Sequence, residues 1–276
     1  MISRRMRSLL LALSLICLAR VSLFFGADEP NFTEQQKIDF MQHAKVIDSK
    51  HAKKGTSNAW DLTLSDGTVT HLASFQPIHE SKPFMQFADG RTEINFKDFW
   101  QYNIAAYRIA KLLGLDDMVP VYTERKWNGM VGSISWYVAD EQFDEADRHK
   151  RNIPVPEALV GGYNKQMYKV RLMTQLFYDT DPNLTNVLVT KEWKIWRIDF
   201  SRAFRTNDKL AEPKDLVQID RQLLAKLRAL TTDQVAEATK PYLNKSEVKA
   251  LMARRDKIVA LFDKMIAEKG ENQVLY

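Results

Sequence analysis

The 276-residue chain has little of what usually announces a chemistry: one cysteine, Cys17, and five histidines, His43, His51, His71, His79 and His149. A single thiol excludes an internal disulfide, and because Cys17 falls in an N-terminal leader, the mature chain is expected to carry no thiol chemistry at all. The histidines show no metal-ligand spacing, so each reads singly as a surface or hydrogen-bonded residue rather than part of a zinc site. Internal repeats, low-complexity tracts and coiled-coil heptads are missing too.

Excess charge of one sign is a further absence once the leader is set aside. Residues 1–27 place Arg4, Arg5 and Arg7 before the apolar run Leu9 to Leu18, then Val21 to Phe25 and the small pair Gly26-Ala27. This is the pattern of a secretory signal peptide cut near Ala27. Arg20 interrupts the apolar run, which argues against a membrane span while leaving an uncleaved anchor open. The leader carries four arginines and no acid, so the formal charge of +5 falls to +1 in the mature chain. A nucleic-acid partner therefore loses its support. The chain is expected to be exported from a bacterium-like cell to the periplasm or beyond, with no stable membrane span after cleavage.

What is present centres on residues 179–204. Asp179-Thr-Asp-Pro-Asn-Leu-Thr-Asn186 is an acidic polar loop leading to a short apolar strand, Asn186 to Val189. A polar turn and a second strand, Ile195 to Ile198, then deliver Asp199. Such a hairpin is expected to hold Asp181, Asn186 and Asp199 together, a set of oxygen donors suited to a hard cation such as magnesium. The alternative is a hairpin whose Asp and Asn bond only their own backbone. The stretch Asp147-Arg-His-Lys-Arg-Asn152 has similar spelling, but Ile-Pro-Val-Pro follows it, and proline cannot donate to a sheet ladder. It reads as a charged, solvated connector.

Asp-x-x-x-x-Asn, a few apolar residues, a turn and Ile-Asp-Phe resembles the catalytic loop and metal-binding aspartate of the protein-kinase-like superfamily. The atypical branches are the most similar: phosphoinositide kinases, HipA-like kinases and secreted kinases of the Golgi casein-kinase type. The resemblance implies Asp181 as catalytic aspartate, Asn186 and Asp199 as metal ligands, ATP with magnesium or manganese as cofactors, and a protein or small-molecule hydroxyl as acceptor of phosphate or AMP. Ser201 stands where the family's Asp-Phe-Gly has glycine, and no Ala-Pro-Glu anchor follows the polar stretch Arg205 to Lys214.

Upstream, Thr33 to His43 reads as a weak amphipathic helix. Trp60 to Leu64 and Val69 to Phe75 read as strands joined by an Asp66-Gly67 turn, a strong hairpin signal. Gly55-Thr56-Ser57 stands where the resemblance puts a phosphate-covering loop, without the full glycine-rich pattern. Phe96, Phe99, Trp100, Ile104, Tyr107 and Ala110 recur at helical spacing, predicting a helix from Phe96 to Leu113 capped by Gly114. Asn103 lies on its apolar stripe and should have a buried partner.

By the resemblance, Asn103 replaces a glutamate, and Gln76, in Ala-Ser-Phe-Gln-Pro, replaces its partner lysine. Losing one charged partner alone would cost roughly 3–5 kcal/mol, whereas two amides can satisfy each other. The exchange also removes the cation that orients nucleotide phosphates. Either another base serves, with Lys82, Arg91, Arg202 and Arg205 as candidates, or the domain is a pseudokinase that binds and regulates.

Met118 to Val121 and Gly132 to Val138 read as strands, and Ala139 to Pro156 as a lobe boundary. Helices are expected over Tyr163 to Tyr178, Leu216 to Leu230, from the Thr231 capping box onward, and over Lys245 to Lys269 behind Asn244 and Glu247. Arg254-Arg255 reads as part of a solvated face. The expected architecture is a two-lobed α+β kinase-like fold: residues 1–27 leader, 28–140 a mainly β lobe with one long helix, 141–276 a mainly helical lobe.

Overall fold

A computed structural model describes residues 30–52, 59–87 and 90–276. The leader and Gly55-Thr56-Ser57 lie outside these described residues. Phe32–Tyr276 forms one compact unit, which is described below. No helix among the described residues is long and apolar enough to cross a membrane.

The architecture is α+β, with a sheet-rich N-terminal region and a helical C-terminal region. Helix α1, Glu34–His43, starts at a capping box in which Thr33 and Gln36 exchange side-chain and backbone bonds. A five-stranded sheet follows, built from β1 (Lys45–His51), β2 (Trp60–Ser65), β3 (Thr70–Gln76), β6 (Tyr122–Trp127) and β7 (Met130–Trp136) in the order β1-β2-β3-β7-β6. The Asp66 carboxylate takes the N–H groups of Thr68 and Val69 to close the β2–β3 turn. Asn128-Gly129, both at positive φ, turns β6 into β7 in the manner hairpin twist favours. Strand alternation sends Leu62, Leu64, Ala73, Phe75 and Ile134 into a core closed by Phe40 and Met41 of α1.

Between β3 and the next helix the chain makes a second hairpin, β4 (His79–Gln86) with β5 (Thr92–Phe99). The helix expected from Phe96 therefore begins only at Gln101: α2 spans Gln101–Leu113, and Gly114 caps it at φ 68°. Phe96 and Phe99 mimic a helical stripe, but Phe96 pairs with Lys82 across the hairpin, and burial at Phe96 and Asp98 follows a period of two. The strand expected at Met118 to Val121 is likewise displaced, because ladder pairing starts only at Tyr122.

The stretch Asp147 to Asn152, expected as a charged connector, belongs in part to a helix, and residues 139–156 are ordered structure. They hold β8 (Glu141–Asp144) and α3 (Glu145–Lys150), and buried Glu145 binds Arg148 and the Tyr163 hydroxyl. Helix α4, Val160–Phe177, leads to the acidic loop, then to β9 (Val187–Thr190) and β10 (Ile195–Arg197), which pair with β8 in the order β10-β9-β8. Helices α5 (Arg221–Ala229), α6 (Thr232–Thr239), α7 (Lys245–Lys269) and α8 (Glu271–Val274) complete the unit. The first of these starts five residues later than Leu216, at an Asp220 cap. The large core joins α2, α4, β9, β10 and α5–α7.

Arg254 and Arg255 do not form a solvated face. Arg254 is fully buried and donates to the carbonyls of Leu176, Arg205 and Asn207, while Arg255 donates to those of Leu227 and Leu230. Periodicity alone could not separate these from the surface lysines, since a long cation buries at little cost only where carbonyls are aimed at it.

Candidate functional site

Asp199 follows β10 with φ 55°, in the left-handed region that aspartate tolerates better than most residues. Its Oδ1 accepts the Ser201 N–H at 3.2 Å, its own N–H donates to the Tyr122 hydroxyl at 3.3 Å, and the Gln76 Nε2 lies 3.4 Å from both carboxylate oxygens. Burial, with the Asp199 charge beside it, pushes the Tyr122 hydroxyl up to about 12, so it stays neutral.

Gln76 and Asn103 meet as the sequence suggests two amides would. Asn103 Nδ2 donates to Gln76 Oε1 and, at 3.2 Å, to Ser133 Oγ, while Asn103 Oδ1 accepts the Phe200 N–H at 2.6 Å. Both residues are buried, and the network ties β3, β7 and α2 to the residue after Asp199.

The acidic loop is held from beneath by Arg197, which sequence reasoning passed over. Its guanidinium pairs with Asp179, both side chains 2% exposed, and donates to the carbonyls of Asn186, Ile198 and Asp199. One fully buried cation thus sets the spacing of the loop and of Asp199. The available signal was a lone arginine in the apolar run Ile-Trp-Arg-Ile, a polar residue that a buried strand admits only with partners.

Asp181 sits differently. Its carboxylate is 42% exposed and lies 3.5 Å from Arg202, which also binds Glu93 of β5. Arg205 donates to Glu93 as well, and the Thr180 hydroxyl bonds the same carboxylate at 3.2 Å. Two of the four candidate bases are therefore engaged by one glutamate. Lys82 is paired with Glu80 on the outer hairpin, and Arg91 lies over the Phe87 ring.

Asn186 and Asp199 line a shared cavity of about 390 Å³, together with Gln76, Ser133 and Leu188. Asp181 is not among its lining residues. The expected convergence thus brings together two of the three side chains, Asn186 and Asp199, in one cavity.

A further aspartate belongs to this neighbourhood. Asp98, at the end of β5, is 8% exposed, its Oδ1 has no hydrogen-bond partner, and burial, aided by the charges of Asp199 and Asp181, raises it from 3.8 to about 6. Folded protein therefore binds a proton that unfolded chain releases between these values, and stability contributed by this group is present below pH 4 and lost as pH rises through 6. Asp98→Asn is expected to gain up to about 3 kcal/mol at pH 7 and to flatten the profile between pH 4 and 6. Urea unfolding of both proteins across that range checks it, and equal stability at pH 7 would refute it.

Neither a family model nor a curated protein matches the chain. Solved structures do. Hydra Fam20, determined with sugar, superposes with a TM-score of 0.65 at 12% identity over 88% of this chain and 91% of that one. The Golgi casein kinase with Mn/ADP bound gives 0.61 at 12%, over 88% and 78%. The Helicobacter pylori proinflammatory kinase CtkA gives 0.51 at 10%, over 83% and 98%. At such identities the likeness establishes the fold, which is that of an atypical kinase.

Proposed function

We propose that this chain is a divalent-metal- and ATP-dependent phosphotransferase acting on a hydroxyl of a protein or small molecule. The observation carrying the reading is the placement of Asn186 and Asp199 in one cavity under the five-stranded sheet, on a kinase fold. The donor set suits a hard cation: the charges of Asp199 and Asp181 add to that of Asp98, and Arg202 counters them in part. Among the described residues no three His, Cys, Asp or Glu side chains form a metal site, and in this reading the ion would take its remaining oxygens from phosphate. Asn186 and Asp199 would hold magnesium or manganese, which when bound neutralises phosphate charge. Asp181, exposed and steered by Arg202, would orient or deprotonate the acceptor hydroxyl, and Arg197 would keep the two segments in register. Gln76 would border the nucleotide, with Asn103, which does not line the cavity, buried behind it, and the lobes would divide near residue 140. Export to the periplasm or beyond rests on the leader.

A second reading has its own support. The Gln76–Asn103 pair brings no cation to the cavity, and Arg202 holds Asp181 to one side, which fits a pseudokinase that binds nucleotide without transferring it. Melting of residues 28–276 with ATP and manganese or magnesium tests the shared premise. At ~100 times the dissociation constant a ligand stabilises by about 2.7 kcal/mol, roughly 5–10 °C for a unit of this size. Asp199→Ala is expected to lose the shift. If no nucleotide and metal combination moves wild type, both readings fall.

A further inference from the structure

The cleft roof is a row of side chains, one from each strand. Register pairs Lys50 with Asp61, Asp61 with Ser74, Ser74 with Ser135 and Ser135 with Tyr122, and all five line the cavity. Neighbouring strands are about 4.8 Å apart, so the row crosses the whole roof. Its composition is unusual for a surface that covers a ligand: a cation, a carboxylate, two hydroxyls and a phenol.

The cavity lining also contains Glu141, Asp144 and Asp199. Against these and Asp61 stands one Lys or Arg among the described lining residues, Lys50. The four other bases that the sequence offered are accounted for. Arg202 and Arg205 are engaged by Glu93, Lys82 by Glu80, and Arg91 lies over Phe87; none of them lines the cavity. Lys50, by contrast, is 53% exposed and stands 3.9 Å from Asp61. A pair at that separation whose ammonium is half-exposed is weak, and the ammonium is readily drawn to a stronger anion. The ammonium is a compact charge on a flexible stem, suited to following a phosphate chain rather than to fixing it bidentately.

Resting on the nucleotide reading above, we infer that Lys50 of β1 supplies the phosphate-binding cation that β3 lacks at Gln76. The charge has moved two strands across the sheet, from β3 to β1, and the buried Gln76–Asn103 contact has become a neutral strut. Among the described lining residues, removing Lys50 leaves no Lys or Arg to face a polyanion, so binding then depends more steeply on divalent metal.

Dissociation constants for ATP and for adenosine, each with manganese, are to be measured for wild type, Lys50→Ala and Lys50→Ala/Gln76→Lys/Asn103→Glu. Loss of one charge-assisted contact weakens ATP about tenfold or more, whereas adenosine, with no phosphate, changes less than twofold. The triple variant, with its cation back on β3, recovers ATP binding if it folds. Lys50→Ala alone suffices if the triple does not fold, since the side chain is half-exposed and unliganded melting should match wild type. An unchanged ATP constant, or equal losses for ATP and adenosine, would overturn the role of Lys50 while leaving the nucleotide site standing. Wild type that binds neither ligand would overturn both.

Discussion

Arg197→Met is expected to destabilise the protein by about 3–5 kcal/mol at neutral pH, the cost of breaking a buried ion pair by removing one partner. The Asp179 carboxylate would stay buried without its guanidinium, and the carbonyls of Asn186, Ile198 and Asp199 would lose their donor together. An isolated buried carboxylate escapes by protonation. The mutant's folded-state Asp179 is then raised well above its unfolded value, so its deficit shrinks as pH falls toward 5 and grows toward 8. Replacing both partners by apolar residues, Arg197→Met with Asp179→Leu, should recover part of the loss. Urea unfolding at pH 5, 7 and 8 distinguishes these outcomes. A single mutant within 1 kcal/mol of wild type, with no pH trend, would show that the pair does not organise the loop.

Arg254→Met should cost about 3 kcal/mol through a different balance. Arg254 has no carboxylate partner among its bonds, only the carbonyls of Leu176, Arg205 and Asn207, and burial pushes its guanidinium down to about 10. Methionine removes that desolvation cost but strands three acceptors at about 1–3 kcal/mol each, and the loss outweighs the relief. The segment 205–214 is pinned by two of these bonds, so its amide protection should fall more than that of α7 itself. Hydrogen exchange resolves the two, and uniform loss across the unit would contradict the pinning role.

The elements most readable in the sequence were those whose signals are local. Capping boxes at Thr33, Thr231 and Asn244, the Gly114 cap and the Asp66 turn all lie where short-range chemistry puts them. The Gln76–Asn103 contact was readable because an amide on an apolar helix stripe demands a partner. Strands β1, β4, β5 and β8 were not, because their burial is weak or one-sided and their pairing is set by partners distant in sequence. The same reason hid Arg197, Arg254, Asp98 and Glu93. Each is a charged residue whose role depends on groups brought from elsewhere in the chain, and apart from the place of Arg197 in an apolar run none carries a local mark.

The neutral strut between β3 and α2 has a consequence for motion. An ion pair at this place would weaken with ionic strength and with any charge placed near it, giving the helix a way to swing out. Amide bonds closed onto a serine hydroxyl and the Phe200 N–H respond to neither. Helix α2 is thus joined to β3 without an electrostatic latch, and this contact should hold unchanged from low salt to high.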